Sequence, residues 1–258
     1  MKSQMKKIIC TASAVMMACS MAACGSKTLS AEELYAKALE TGKQDVEMDI
    51  NSSTSTMGMT VDTTYNIKTK QDGDITEFAM TGTFMNIDMS MYYVDGWFYM
   101  DMGEYGKSKT ETDMDTANEY FGQMSGGNGS SLLDVDASSF SQLTVAEDEE
   151  GNTVLNYVLP ADKVAEYMDS VYEEMLGESM EGITITYGDM TGTITFDDNN
   201  EMTKQTQSIS MNMDMDGVSM DTDSTTEYII KAVGEDVKIT YPDFSDYEEV
   251  DSSELFGE

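Results

Sequence analysis

The chain has 258 residues, 40% of them hydrophobic, and sets 14 lysines, with no arginine and no histidine, against 49 Asp and Glu, a formal net charge of −35. Neutralising nucleic-acid phosphates takes basic side chains, so nucleic acid is excluded as a partner, and the surface as a whole is repelled by anionic lipid headgroups. The length and the presence of only two prolines allow one sizeable core and argue against disorder.

The first element is a secretory signal. Lys2, Lys6 and Lys7 precede an uncharged run from Ile8 to Ala23. The run is too short, and too interrupted by Thr11, Ser13 and Ser20, for a spanning helix. It closes on Met21-Ala22-Ala23-Cys24-Gly25, which resembles a bacterial lipobox with Met in place of the usual Leu. We expect residues 1–23 to be cleaved and Cys24 to be the lipid attachment site. Cys10 and Cys19 leave with the signal, so the mature chain has no disulfide framework. It keeps 11 lysines against 49 acids, a net charge of −38. Two acyl chains, at about 0.8 kcal/mol per buried methylene, hold such a domain at a membrane despite its charge.

Residues 24–30 form a short tether, about 20 Å at full extension beyond the cysteine. A helix is predicted over Ala31 to Thr41: Ser30 caps it, Glu33 completes a capping box, Leu29 and Leu34 can staple it, and Gly42 stops it. Leu34, Ala38 and Leu39 form its apolar stripe. From Val46 the apolar period becomes two, the mark of antiparallel strands. A hairpin turning at Met57-Gly58 sets Met48 opposite Ile67 and Ile50 opposite Tyr65. A second turns at Asp95-Gly96, a dipeptide that favours a type I′ turn. Its register places Tyr93 opposite Phe98, Met91 opposite Met100 and Met89 opposite Met102. A helix beginning at Asp115 and covering Thr116 to Met124 is followed by a Gly/Ser-rich loop without the lysine of a phosphate cradle. A stronger helix covers Ala161 to Leu176, opened by Pro160 and ended by Gly177, with Val164, Tyr167, Met168, Val171, Tyr172, Met175 and Leu176 on one stripe. Further strands are expected at Ile183 to Tyr187, Thr191 to Phe196, Met202 to Ile209 and Asp236 to Tyr241, with a loop at Asp197 to Asn200. A third hairpin closes on Asp216-Gly217 and pairs Met215 with Val218 and Met213 with Met220. Gly58 to Thr63 faintly echoes Gly217 to Thr222. The chain after Pro242 reads as peripheral, and residues 251–258 as an acidic tail.

Catalytic instruments are few. Without histidine, arginine or a free cysteine, only carboxylates, hydroxyls and some lysines are left, and the sequence holds no nucleophile elbow or His-based zinc motif. We expect no enzyme and no cofactor. Asn212-x-Asp214-x-Asp216-Gly217, with Asp223 in twelfth place, imitates a calcium loop. The alternation of Met211, Met213, Met215, Val218 and Met220 instead makes it an acidic hairpin face, with Asn212, Asp214, Asp216, Asp221 and Asp223 as a weak cation candidate and no dedicated metal site. Methionine is abundant, 25 residues, and thioethers suit a surface that repacks around variable apolar ligands. The candidate hydrophobic ligand face is Met85, Ile87, Met89, Met91, Tyr93, Phe98, Met100, Met211, Met213 and Met215. Tyr92, Trp97, Phe98 and Tyr99 read as packing at a hairpin tip.

The order of these parts resembles the LolA and LppX/LprG-like lipoprotein superfamily, and in particular uncharacterised Gram-positive lipoproteins of that fold. The residues that carry the resemblance are the helix Ala31-Glu32-Glu33-Leu34-Tyr35-Ala36-Lys37-Ala38 and the strand start Val46-Glu47-Met48. The hairpin Tyr92-Tyr93-Val94-Asp95-Gly96, the Leu159-Pro160 helix start and the closing Ile239-Thr240-Tyr241-Pro242 complete it. The resemblance implies an α+β fold over residues 31–250, a strongly curved antiparallel sheet forming an open half-barrel whose concave face is covered by helices and can hold acyl chains. The expected protein is thus a non-catalytic lipoprotein, held through diacylglyceryl-Cys24 to the outer face of a bacterial cytoplasmic membrane and binding a lipid or other hydrophobic ligand. The alternative is an envelope interaction or sensing module with a self-filled core, whose acidic surface meets cell-wall components or cations.

Overall fold

A computed structural model describes residues 29–72, 74–84, 87–114, 116–117, 135–176, 183–215 and 217–252; the side chains of residues 72, 74, 84, 169–176, 183 and 215 fall outside that description. The expected signal sequence, Cys24, most of the expected tether, Asp115 and residues 118–124 of the expected helix there, the Gly/Ser-rich segment, Met85, Asp216, Gly177 and the last six residues lie outside the described residues.

Among the described residues, two long helices and thirteen strands follow in chain order. Helix α1 (Ala31–Thr41) leads into β1 (Val46–Thr56), β2 (Met59–Asp72), β3 (Asp74–Phe84), β4 (Ile87–Val94), β5 (Trp97–Asp101) and β6 (Lys107–Glu111). Then come β7 (Gln142–Glu147), β8 (Thr153–Leu159), α2 (Ala161–Leu176), β9 (Ile183–Tyr187), β10 (Met190–Phe196), β11 (Met202–Met215), β12 (Val218–Val233) and β13 (Glu248–Glu249). All strands join one open sheet in the order β13-β6-β5-β4-β3-β2-β1-β12-β11-β10-β8-β7, with β9 also pairing β11. Every pairing is antiparallel except that of β13 with β6. The α+β architecture, an open sheet with helices packed on one face, is the one expected.

Local chemistry explains the elements. The Ser30 hydroxyl accepts from the Glu33 amide at 3.2 Å while the Ser30 amide donates to the Glu33 carboxylate at 2.8 Å, closing the capping box at the start of α1. Leu34 and Ala38 of α1 are buried as expected; Tyr35 joins them, whereas Leu39 is only half-buried. The hairpin tips Met57-Gly58 and Asp95-Gly96 have positive φ at both residues, as a type I′ turn requires. Met48 stands opposite Ile67, Ile50 opposite Tyr65, Tyr93 opposite Phe98, Met91 opposite Met100 and Met213 opposite Met220.

Directly opposed residues share a face, and one face of the sheet carries the core. One row runs Val46, Thr69, Phe78, Tyr93, Phe98 and Thr110; the next runs Met48, Ile67, Met80, Met91 and Met100. The apolar members of both rows pack with Ala117 into one buried cluster. On the other half, Leu155, Leu159, Ile194 and Phe196 pack beneath Leu34 and Ala38 of α1 and Val164 of α2. Two glycines are required by this packing. A Cβ on Gly82 would meet the Thr64 carbonyl and the Tyr65 ring, and one on Gly192 would meet the Thr206 carbonyl and the Tyr157 hydroxyl. In each case a tyrosine lies across a glycine of the adjoining strand.

Several expectations are corrected. The β4–β5 ladder ends at Ser90 opposite Asp101, so Met89 does not pair with Met102, which starts a short 3₁₀ turn. Residues Asp236 to Tyr241 form no strand: the chain leaves β12, which is paired on both sides by β1 and β11, through a 3₁₀ turn at Gly234–Asp236 and joins no ladder. Strands β7 and β8 appear where none was predicted, while β11 runs unbroken from Met202 into the expected hairpin, with Met215 opposite Val218. The chain after Pro242 is not peripheral: it straps the outer face of β4–β6. Phe244 stacks on Tyr99 with centroids 3.7 Å apart, Tyr247 meets both rings edge-on, and the Val250 amide donates to the Lys109 carbonyl at 2.9 Å. Tyr92 and Tyr99 are therefore covered by the strap, and Trp97 carries the Lys109 ammonium 5.2 Å from its ring centroid.

Asp45 ties the connection between α1 and β1 to the end of β2. Its carboxylate accepts from the Lys70 ammonium at 2.7 Å and from the Gln71 amide at 2.8 Å. Partial burial pushes this carboxyl up, but the Lys70 and Gln71 bonds prevail and hold it below the ordinary carboxylate range. A depressed folded-state pKa stabilises at pH above the unfolded value and is lost as pH falls through the folded one. Asp45→Asn is expected to cost about 1 kcal/mol, with the gap in denaturation midpoint constant from pH 7 to 5.5 and closing below about pH 4. Removing the strap's stacked ring by Phe244→Ala should lower stability by about 1–3 kcal/mol and speed hydrogen exchange at the Val250 amide.

Candidate functional site

The centre of the core face lies between the two packed clusters, where β2, β1, β12 and β11 run side by side. Its lower rows are apolar: Ile50 opposes Tyr65 on one side and Tyr228 on the other. Above Ile50 the same face carries Ser52, Thr54 and Thr56, opposed by Thr226, Ser224 and Thr222. The three hydroxyl pairs bond across the strands at 3.2, 3.1 and 2.9 Å. All six residues are half-buried. Hydroxyl, apolar and amide side chains flank them: Thr63, Val61 and Met59 on β2, and Gln207, Ile209 and Met211 on β11.

No charged residue occupies this face in the four strands, over Met48–Thr56, Met59–Thr69, Gln205–Met213 and Val218–Tyr228. The opposite face of the same strands takes all the charge. There Lys231 reaches Asp49 at 2.9 Å, Lys68 reaches Glu47 at 3.3 Å and Lys204 reaches Glu227 at 3.4 Å.

Beneath α1 and α2 the face holds a polar knot. The Gln205 amide, on a fully buried side chain, donates to the Tyr157 hydroxyl at 3.2 Å, and Gln207 donates to the Tyr228 hydroxyl at 3.2 Å. The Gln205 carbonyl oxygen finds no partner among the described residues. Burial pushes the Tyr157 phenol up to about 12, against a smaller opposing effect of the Gln205 bond, and pushes Tyr228 up as well. Both phenols stay neutral and act as hydrogen-bonding groups rather than bases.

The expected ligand face divides in two. Met89, Met91, Tyr93, Phe98 and Met100 are buried in the packed cluster, Met91 and Phe98 with no exposure at all. Ile87, Met211 and Met213 are half-buried, the two methionines beside the hydroxyl rows. Met215 takes its expected register opposite Val218. In the acidic hairpin, Asn212 donates to Asp221 at 2.7 Å and the Ser210 hydroxyl donates to Asp223 at 2.6 Å, while Asp214 accepts from the Gly217 amide at 3.1 Å. Among the described residues no group of three Asp, Glu, His or Cys could hold a metal ion. The hydroxyl rows and the Gln205–Tyr157 knot were not singled out from sequence. The signal that could have found them is the charge-free alternate register of strands in so acidic a chain.

No family model matches the chain, and no curated protein matches it. Among solved structures it is similar to a LolA superfamily protein from Nitrosomonas europaea, at 9% identity and a TM-score of 0.29, covering 85% of this chain and 98% of that one. A DUF1329 family protein from Desulfovibrio piger follows at 10% identity and a TM-score of 0.27, covering 80% of this chain and 93% of that one. MucB in complex with MucA(peri) matches at 9% identity and a TM-score of 0.18, covering 76% and 92%. Scores this low carry no weight for function, and the architecture rests on the strand order and registers above.

The two methionine environments predict a contrast. Met91→Ala opens a cavity in packed core and should cost about 2–5 kcal/mol; Met211→Ala should cost under about 1 kcal/mol. Urea denaturation of the two variants checks the difference.

Proposed function

We propose that this protein is a non-catalytic bacterial lipoprotein, anchored through diacylglyceryl-Cys24 to the outer face of the cytoplasmic membrane, that holds a lipid or other hydrophobic ligand on the core face of its sheet. The single observation behind this reading is the charge-free face of β2, β1, β12 and β11. In a chain with 49 acids, a half-exposed strand surface bathed by water would be expected to carry some of them. Its freedom from charge fits a surface that meets uncharged, partly apolar matter. The signal segment and the Met-Ala-Ala-Cys motif support the anchor, and the short tether would keep the domain near membrane lipids.

A second reading is favoured by the complete burial of Met91, Met80 and Phe98: a self-filled module that acts through its acidic exterior on cell-wall components or cations. An organic extract separates the two. The full chain carrying Cys24→Ala, which lacks the anchor's own acyl chains, is expected to release a co-purifying lipid on mass spectrometry and to take up a fluorescent fatty acyl methyl ester. An empty extract together with no uptake would sink the ligand-binding reading in favour of the second.

A further inference from the structure

We propose that Met211, Met213 and Met220, on the core face toward the tip of the β11–β12 hairpin, form a binding site for a soft monovalent cation, copper(I), through their thioether sulfurs. The site goes beyond the ligand-binding reading above and stands whether or not that reading does.

Strand register brings the three sulfurs together. Met213 stands directly opposite Met220, where the Cβ atoms of such a pair lie about 4.5–5.5 Å apart, and Met211, two residues along β11, is the diagonal neighbour of Met220 at about 7–8 Å. A methionine side chain is unbranched, with three rotatable bonds, so from these positions three sulfurs can converge on one point between the strands. Strand β9 bounds the place on the far side of β11, with Ile185 opposite Met213 and Tyr187 opposite Met211.

Core filling does not account for this placement. On the same face, no methionine stands from Gln205 to Ile209 of β11 or from Thr222 to Tyr228 of β12; the three fall together in the two rows beyond. Met80 and Met91 are fully buried and serve packing alone, whereas Met211, Met213 and Met220 are half-buried and keep part of their surface in solvent. At a half-buried strand position a β-branched residue suits the pleat at least as well. What methionine adds there is a polarisable sulfur.

The chemistry of the face selects the ion. Thioethers are soft donors that favour Cu(I), while calcium and magnesium require oxygen ligands, and this face of the central strands carries no carboxylate. Neutral donors leave the ion its charge, and the other side of the same hairpin answers it. Residues 212–223 hold four aspartates and no lysine, and Asp214 and Asp221 alternate with the methionines onto that side. Their field draws a cation toward the hairpin.

The test uses the full chain carrying Cys10→Ser, Cys19→Ser and Cys24→Ala, so that no thiolate competes, in chloride-free buffer under reducing, anaerobic conditions. Cu(I) titrated against a chromophoric chelator is expected to occupy one site, with an affinity constant to within about threefold between pH 7 and pH 5, because a thioether has no proton to lose on binding. Met213→Leu with Met220→Leu, which conserves volume, should weaken binding by at least about tenfold, and Met211→Leu should do the same if the double variant does not fold. Silver(I), a redox-inert probe of the same softness, should shift the methyl NMR signals of Met211, Met213 and Met220 together and leave those of Met80 and Met91 in place. Absence of Cu(I) uptake, a smaller loss in a folded variant, a larger fall in affinity at pH 5, or silver shifts confined to other methionines would each overturn the site. None of these outcomes bears on lipid binding, which the extract and the acyl ester probe decide separately.

Discussion

Asp49, Glu47, Glu227 and Asp221 all leave the central strands by the same side, and that constraint organises the molecule. A strand alternates its side chains with period two, so a chain this rich in acid can form a wide sheet only if its carboxylates fall in a single register. The outer face then accumulates negative charge, relieved by Lys231, Lys68 and Lys204. The inner face is left free of charge and can bury methionine, leucine and aromatic rings without stranding an ion. A slip of one residue in any central pairing would exchange the two faces, which specifies register strongly.

That same logic decided what could be read from sequence. The bounds of α1 and α2 and the three hairpin registers were legible, because capping boxes, two-residue turns and alternation are local signals. Strands β7 and β8 were not. Their connection, Asp148-Glu149-Glu150-Gly151-Asn152, reads as an acidic loop, yet Asp148 folds it by accepting from the amides of Glu150 and Asn152 and from the Asn152 side chain. Val237, Ile239 and Tyr241 alternate like a strand and are not one. Apolar spacing reports which side of a segment meets protein, and it is silent on whether a backbone partner has a free edge. The strap was hidden in a different way. Tyr241, Phe244 and Tyr247 recur every third residue among Asp and Glu, and their partners Tyr92 and Tyr99 lie on a face that alternation assigns to solvent.

At the candidate site, methionine drew attention because it is abundant, but most of the methionines on β4 and β5 serve the core. The serines and threonines of β1 and β12 attract no attention singly, since both residue types are common on exposed strands. Their meaning comes from the pairing of two strands more than 160 residues apart in sequence, which places six hydroxyls together. Cys24, outside the described residues, is still the residue to which the sequence assigns the most definite chemistry.

The pairing of β1 with β12 also sets the order in which the molecule can assemble. Strands β1 to β6 form one meander; β7, β8, β10, β11 and β12 form the other half with β9 beside β11, and the seam between the halves joins Val46 to Val233 and Thr56 to Thr222. The first meander can zip from its hairpin turns as local events, but β1 keeps an open edge until the chain has been produced through β12. Such distant pairing is slow because loop closure must precede the contacts that reward it. In a chain made from its amino end, the midline of the finished sheet is among the last ladders to close.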